Sequence, residues 1–299
     1  MRRPVFVAWA LAAAACGRER APVARGSAAE IVVKDAGFAT PESVLHDPLT
    51  DMYLVSNING GEVDADDNGF ISLMTPEGKV AVLRWIDGAS DSVTLNAPKG
   101  MAVIGGYLYV ADINTIRRFD RRTGGPRGAF PVRGASFLND LAPGPDGSVY
   151  FTDTGIKPGA GGFEPSGTDA VYRLGPDGRI EVLAKGDSLG HPNGIALSGD
   201  SLWVVSYGSG ELYRIADGQR TAVRKLPKGG LDGLVLFQGD AFISSWDGEV
   251  VYRGPIAGPF REAVKGLPAP ADIGHDMWRN RLLIPLFNAN EIRIVPLAL

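Results

Sequence analysis

Pro192-Asn193-Gly194-Ile195, then Leu202-Trp203-Val204-Val205, then Glu211-Leu212-Tyr213-Arg214, then Arg220-Thr221-Ala222-Val223: four short strand-like runs follow one another with turn residues between them. The opening phrase recurs along the chain. Its other copies are Pro41-Glu42-Ser43-Val44, Pro98-Lys99-Gly100-Met101, Leu138-Asn139-Asp140-Leu141, Leu231-Asp232-Gly233-Leu234 and Pro270-Ala271-Asp272-Ile273. Each is followed by a strong second strand, such as Val149-Tyr150-Phe151-Thr152, and a third, such as Ala170-Val171-Tyr172-Arg173. Pro145-Asp146-Gly147, Pro176-Asp177-Gly178 and similar turn signals separate them, and no helical periodicity survives that spacing.

Four strands per unit and six units predict an all-β fold, a six-bladed β-propeller over residues 30–299. Equivalent positions from Glu42 onward are 57, 40, 54, 39 and 39 residues apart, close to the ~40–45 residues of a propeller blade. The two long intervals hold insertions, 57–68 and 155–168, expected as loops on the binding rim. The sixth unit stops after three strands, and Glu30-Ile31-Val32-Val33-Lys34 precedes the first. That N-terminal strand is expected to complete the last blade, which removes exposed sheet edges.

Composition agrees. The 40 Gly and 21 Pro suit many turns, and 44% hydrophobic residues suffice for a core. The net charge of -4, with no basic stripe, argues against a nucleic-acid partner. A small-molecule ligand and a monomer are expected.

Residues 1–15 read as a signal peptide: Arg2 and Arg3, then an apolar run from Val5 to Ala15 that is too short to span a bilayer. The single cysteine, Cys16, follows Ala13-Ala14-Ala15 and resembles the lipidated cysteine of a bacterial lipobox, although Ala13 stands where leucine is usual. Residues 17–29 read as a tether. The expectation is an exported protein of the bacterial cell envelope, on the periplasmic side, held to a membrane by its lipid alone.

In a radial fold the second residue of each phrase converges on the axis. Those residues are Glu42, Lys99, Asn139, Asn193, Asp232 and Ala271. Four carry oxygen donors, which suits a hard divalent cation: Ca²⁺ first, with Zn²⁺, Mn²⁺ or Mg²⁺ as alternatives. With no His or Cys among them, a structural zinc site does not fit. Strand alternation predicts an apolar plug beneath this ring, made of Val44, Met101, Leu141, Ile195, Leu234 and Ile273.

These phrases resemble the regucalcin/gluconolactonase family of six-bladed propellers, to which the paraoxonases are distantly similar. The resemblance covers about residues 30–299 and rests on Pro41-Glu42, Asn139-Asp140, His191-Pro192-Asn193-Gly194 and Leu231-Asp232-Gly233. It implies a metal held by Glu42, Asn193 and Asp232. It further implies Asp232 as general base, with Asn139 beside the metal contacting substrate, water or the oxyanion. The chain departs from the family two residues before Asn139, where Phe137 replaces the arginine of gluconolactonases. A guanidinium suited to sugar hydroxyls becomes an aromatic face, so a less polar lactone or ester is expected. Lys99 is open to several roles: binding an anionic substrate, holding the leaving group, or pairing with Glu42. His191 is a further candidate at the pocket rim, as an auxiliary acid or base. The second function class is a non-catalytic envelope propeller that binds a ligand or protein, its metal structural.

Two further motifs carry less. Asp64, Asp66, Asn68 and Gly69 match the start of a calcium loop but lack its closing Glu, which favours an acidic hairpin loop. Gly186-Asp187-Ser188-Leu189-Gly190 matches the hydrolase elbow without the strand–helix context that motif needs. His46 and His275 are expected to fill the inner wall.

Overall fold

The computed structural model describes residues 29–297, so Cys16 and the signal segment lie outside the described residues. The strands form six four-stranded antiparallel sheets and one two-stranded hairpin. Blade one runs outward from Pro41–Asp47 through Met52–Asn57 and Phe70–Met74 to Val80–Asp87. The inner strands of the next four blades are Pro98–Ile104, Leu138–Pro143, Pro192–Ser198 and Leu231–Phe237. Blade six begins with Gly274–Asp276, and Ile31–Val33 forms its outer strand against Glu291–Pro296, with Ile31 opposite Ile294.

The six-bladed expectation is borne out. Each inner strand starts at one face, called upper here, and ends at the lower face. The insertions sit on the upper rim: the loop after Asn57, and in blade three the hairpin of Ile156–Gly159 with Gly162–Pro165. Apolar clusters fill the wedges between blades, as where Val205, Leu212, Leu231, Leu234 and Ile243 meet. In blade three Phe151 and Tyr172 stack with centroids 5.0 Å apart, a geometry that adds to simple area burial.

One local device recurs at the axis. Pro41 pairs with Asn57 but Val44 with Val55, so Glu42 and Ser43 together face Ser56. The same slip occurs at Lys99–Gly100, Asn139–Asp140, Asn193–Gly194 and Asp232–Gly233. Each is a β-bulge, which re-aims side chains and leaves the ladder locally unpaired. In blades one, three and five a hydroxyl accepts the displaced amide: Ser43 N to Ser56 Oγ, 2.9 Å; Asp140 N to Thr152 Oγ1, 3.2 Å; Gly233 N to Ser244 Oγ, 2.7 Å. Two of those hydroxyls donate onward to the next blade, Thr152 to Asn193 O at 2.6 Å and Ser244 to Ala271 O at 2.8 Å. The bulge and the blade-to-blade contact are therefore one hydrogen-bond chain.

The bulge also corrects the expected plug. Val44, Met101, Leu141, Ile195, Leu234 and Ile273 are buried below the axial ring, but Ser43, Asp140 and Asp272 line the same lower cavity. Simple alternation fails because the bulge inserts one residue, which turns the third phrase position inward as well. Asp140 accepts from Ile195 N (2.8 Å) and Leu141 N (2.6 Å), and Asp272 from Ser43 Oγ (2.5 Å).

Where the third position is glycine, the adjoining blade's backbone fills the space a side chain would need. A Cβ on Gly194 would collide with Asp232 O and approach Leu234 N at 2.9 Å. Gly194→Ala should therefore destabilise the protein by about 1–3 kcal/mol or more through overpacking against backbone. Gly106→Ala, which meets open space, should change stability little; chemical denaturation of both variants checks the contrast.

Candidate functional site

The upper mouth of the axis opens into a cavity of about 500 Å³. Its floor holds Glu42, Lys99, Asn139, Asn193 and Asp232, five of the six phrase residues singled out above, all buried. The sixth, Ala271, is buried but does not line it.

The floor is rigidly oriented. Thr154 Oγ1 donates to Pro192 O (2.9 Å), so it must accept from Asn139 Nδ2 (3.0 Å). That fixes the carboxamide with Oδ1 turned away from Thr154. Asn139 Oδ1 is therefore an acceptor that suits a cation or a water. Asp232 takes one hydrogen bond, from Trp246 Nε1 to Oδ2 at 2.8 Å.

Four buried oxygens of this floor are left without a hydrogen-bond partner: Glu42 Oε2, Asn139 Oδ1, Asn193 Oδ1 and Asp232 Oδ1. They belong to the four oxygen-bearing side chains of the axial column. Buried polar atoms are normally satisfied, so a shared cluster of orphan acceptors fits a hard cation. Among the described residues no group of three or more His, Cys, Asp or Glu side chains forms a metal-binding cluster. The donor set is instead two carboxylates with two carboxamides, the chemistry that Ca²⁺ accepts.

The electrostatics point the same way. Burial raises the pKa of Glu42 well above the usual carboxylate range, and Asp232 and Asp272 raise it further, against the pull of Lys99. Asp232 and Asp140 are also raised, first by burial and then by Asp272, and burial lifts Asp272 to about 7. Four carboxylates converge here with one buried ammonium among them.

That ammonium is committed. Lys99, 1% exposed, donates to Glu62 O at 2.7 Å and Ala97 O at 3.2 Å, and lies 4.3 Å from the centroid of the Phe137 ring. Burial lowers its pKa, against the pull of Glu42. Its contacts are with carbonyls and an aromatic face rather than a direct ion pair with Glu42. Phe137, the departure from the sugar-lactone pattern, is thus the surface on which Lys99 rests.

His191 lines the cavity with a positive φ of 62°. Its Nδ1 lies 2.9 Å from Thr154 O and 3.3 Å from an oxygen of Asp169. A carbonyl only accepts, so Nδ1 carries a proton, and in the neutral ring Nε2 is the acceptor.

The walls are mostly apolar, with Glu62 and Glu164 also lining them. Phe163, Ile156 and Pro165 come from the blade-three hairpin, and Ile58, Tyr207, Trp246 and Phe287 from loops that follow second strands. Phe163 meets Phe137 edge-on at 5.5 Å, and Trp246 meets Phe287 at 5.1 Å. A signal existed: the residue after the second strand forms its own column, and in five of the six blades it lines the cavity, as Ile58, Thr154, Tyr207, Trp246 and Phe287. The remaining motifs lie elsewhere. Asp64 and Asp66 are exposed, and Asp67 ties their loop to Leu95 N (3.1 Å) and Asn96 Oδ1 (3.1 Å). Ser188 sits on a three-residue 3₁₀ turn leading into blade four. His46 and His275 lie at the lower end of the channel.

No protein-family model matches the chain, and no curated protein does. Solved structures do. A gluconolactonase of Xanthomonas campestris is 22% identical, with 90% of this chain and 89% of that one aligned, at a TM-score of 0.67. A putative gluconolactonase is 21% identical over 90% of this chain and 92% of its own, at 0.66. Virginiamycin B lyase of Staphylococcus aureus, bound to quinupristin in that structure, is 16% identical over 90% and 99%, at 0.59. These are similarities of fold, and the gluconolactonases among them are in keeping with the resemblance read from the phrases.

The raised carboxyls have a consequence for stability. A carboxyl whose folded pKa is raised binds its proton more tightly folded than unfolded. Between the ordinary carboxyl value near 4 and the value of about 7 at Asp272, stability therefore falls as pH rises. The cation-free protein should melt at a higher temperature near pH 5 than near pH 7.5. Asp272→Asn should flatten that slope in a calorimetric pH series. Asp51 behaves oppositely: the Arg279 hydrogen bond leads in lowering its pKa, so its contribution is lost only at more acidic pH.

Proposed function

We propose that this propeller is a metal-dependent hydrolase of lactones or related esters, its substrate less polar than a sugar lactone. The observation that supports it is the set of four unpartnered oxygens at the floor of an apolar-walled cavity. Glu42, Asn193 and Asp232 would hold the cation, Ca²⁺ by donor chemistry, with Asn139 Oδ1 beside them. When bound, such an ion supplies Lewis-acid polarisation of the carbonyl and acidifies a water.

The chain's own groups do the rest. Asp232, held through Oδ2 by Trp246, takes the proton of the attacking water with the same carboxylate that would hold the cation. The water oxygen bonds to the carbonyl carbon, the C–O bond to the leaving oxygen breaks, and that oxygen takes up the proton that Asp232 received, which restores the carboxylate. Asn139 Oδ1 accepts from the water and orients it. His191 Nε2 offers a further acceptor to the substrate. Phe137, Phe163, Trp246 and Phe287 exclude water and contact the apolar part of the substrate, while Lys99 offsets the charge of Glu42 without direct contact.

Elemental analysis of purified protein should show a divalent cation, and Glu42→Ala or Asp232→Ala should lower its content. If both variants retain full metal content, the ligand assignment is wrong. Asp232→Asn should reduce kcat by about 10²–10⁴-fold if it is the general base. In a panel of lactones and esters assayed with Ca²⁺, Zn²⁺, Mn²⁺ and Mg²⁺, alkyl- or aryl-substituted lactones should outpace gluconolactone. Phe137→Arg should narrow that preference. Metal binding without turnover of any panel member would leave a binding protein and overturn the hydrolase reading.

A further inference from the structure

The lower face, opposite the cavity, is chemically asymmetric. The turns joining first to second strands in blades three, four and five carry Asp146-Gly147, Gly199-Asp200 and Gln238-Gly239. Those of blades six, one and two instead present Met277 (64% exposed), Trp278 (48%), Leu49 (51%) and Tyr107 (39%). Among the turns that join first to second strands, the exposed large apolar side chains are confined to these three consecutive blades.

These tips stand on a braced platform. Arg279 holds Asp51 through two hydrogen bonds of 2.8 and 2.7 Å, which ties the turn of blade six to that of blade one. Tyr53 Oη donates to Asp276 at 2.6 Å across the same junction, and His46 packs edge-on against Trp278 at 5.3 Å. Arg121 pairs with Asp47 of blade one and donates to Gly105 O of blade two at 3.0 Å. Arg118 lies 4.7 Å from the centroid of Tyr107. The carboxylates of these turns are each matched by an arginine, Asp120 by Arg127 at 3.1 Å. Arg122 is exposed beside them.

Both ends of the described chain lie here. Ile31 pairs near the lower end of Glu291–Pro296, so the described chain begins on blade six at this face. Leu297 N bonds Asn280 O in the same turn region, at 2.9 Å. The preceding sequence holds the apolar run Val5 to Ala15 and Cys16, with residues 17–29 between them and the domain. Thirteen residues span at most about 45 Å when fully extended.

We propose that this face, through Leu49, Tyr107, Met277 and Trp278, seats the domain on a lipid bilayer surface. Trp and Tyr favour the headgroup region, where one end of the ring is apolar and the other polar. Leu49 and Met277 enter the acyl boundary, and Arg122 meets anionic headgroups. The seating turns the catalytic cavity away from the membrane toward water. It is independent of what the cavity does.

The test uses the full chain bound to vesicles of phosphatidylethanolamine and phosphatidylglycerol, with and without phosphatidylcholine brominated on its acyl chains. In a Trp9→Phe background, which removes the tryptophan of the Val5 to Ala15 run, tryptophan fluorescence should be quenched by the brominated lipid, and Trp278→Phe should remove that quenching. Leu49→Glu combined with Met277→Glu should also remove most of it while leaving the melting temperature unchanged. Vesicle-bound protein with Trp278 unquenched overturns the proposal, as does failure of the parent chain to float with vesicles. A Met277→Cys variant that cross-links into homodimers without lipid overturns it too, by giving the patch to a second copy.

Discussion

The bulge at the start of the inner strands is the constraint on which the rest of this molecule depends. A regular strand would send successive side chains to opposite faces. Inserting one residue opposite Ser56, Ala111, Thr152, Val205 or Ser244 lets the second phrase residue face the upper mouth while the third faces the axis below it. The cost is an amide without a ladder partner. Ser56, Thr152 and Ser244 meet that cost, and two of them pass the bond to the neighbouring blade. Side-chain aim, blade spacing and hub geometry are thus set together. Glycine at 100, 194 and 233 belongs to the same solution, because adjacent backbone occupies the volume a Cβ would need.

A hub built this way concentrates charge. Glu42, Asp140, Asp232 and Asp272 are all buried, with Lys99 the nearby cation. Like charges in a desolvated space raise one another's pKa, and a bound divalent ion is the natural counterweight. The surrounding chemistry is different in kind. Phe137, Phe163, Trp246 and Phe287 surround the polar floor with rings, so the cavity combines a small polar centre with an apolar body. Lys99 links the two by resting on Phe137 while its charge reaches Glu42.

The repeat was legible because it is written in local terms: turn residues, period-two strands and a fixed spacing. The six blades, and Ile31–Val33 as the outer strand of the sixth, could be read from it. So could the axial column, since equivalent positions in a radial repeat converge whatever their identity. Asp140 and Asp272 were in view as sequence but misread, because alternation without the bulge leaves them off the axis. Trp246 and Thr154 were missed for another reason. Their work on Asp232 and Asn139 is done across strands, 14 and 15 residues away.

By itself, then, the sequence determined how many blades there are and which side chains meet at the axis, because both follow from periodicity. Only the tertiary structure decided which way those side chains present their atoms. The Asn139 amide is oriented by a hydroxyl already committed to Pro192, and Asp232 is left one free oxygen by an indole from the loop after the second strand. The third phrase residues turn inward because of a one-residue slip. Such outcomes rest on hydrogen-bond partners that are distant along the chain and adjacent only once the blades have closed around the axis.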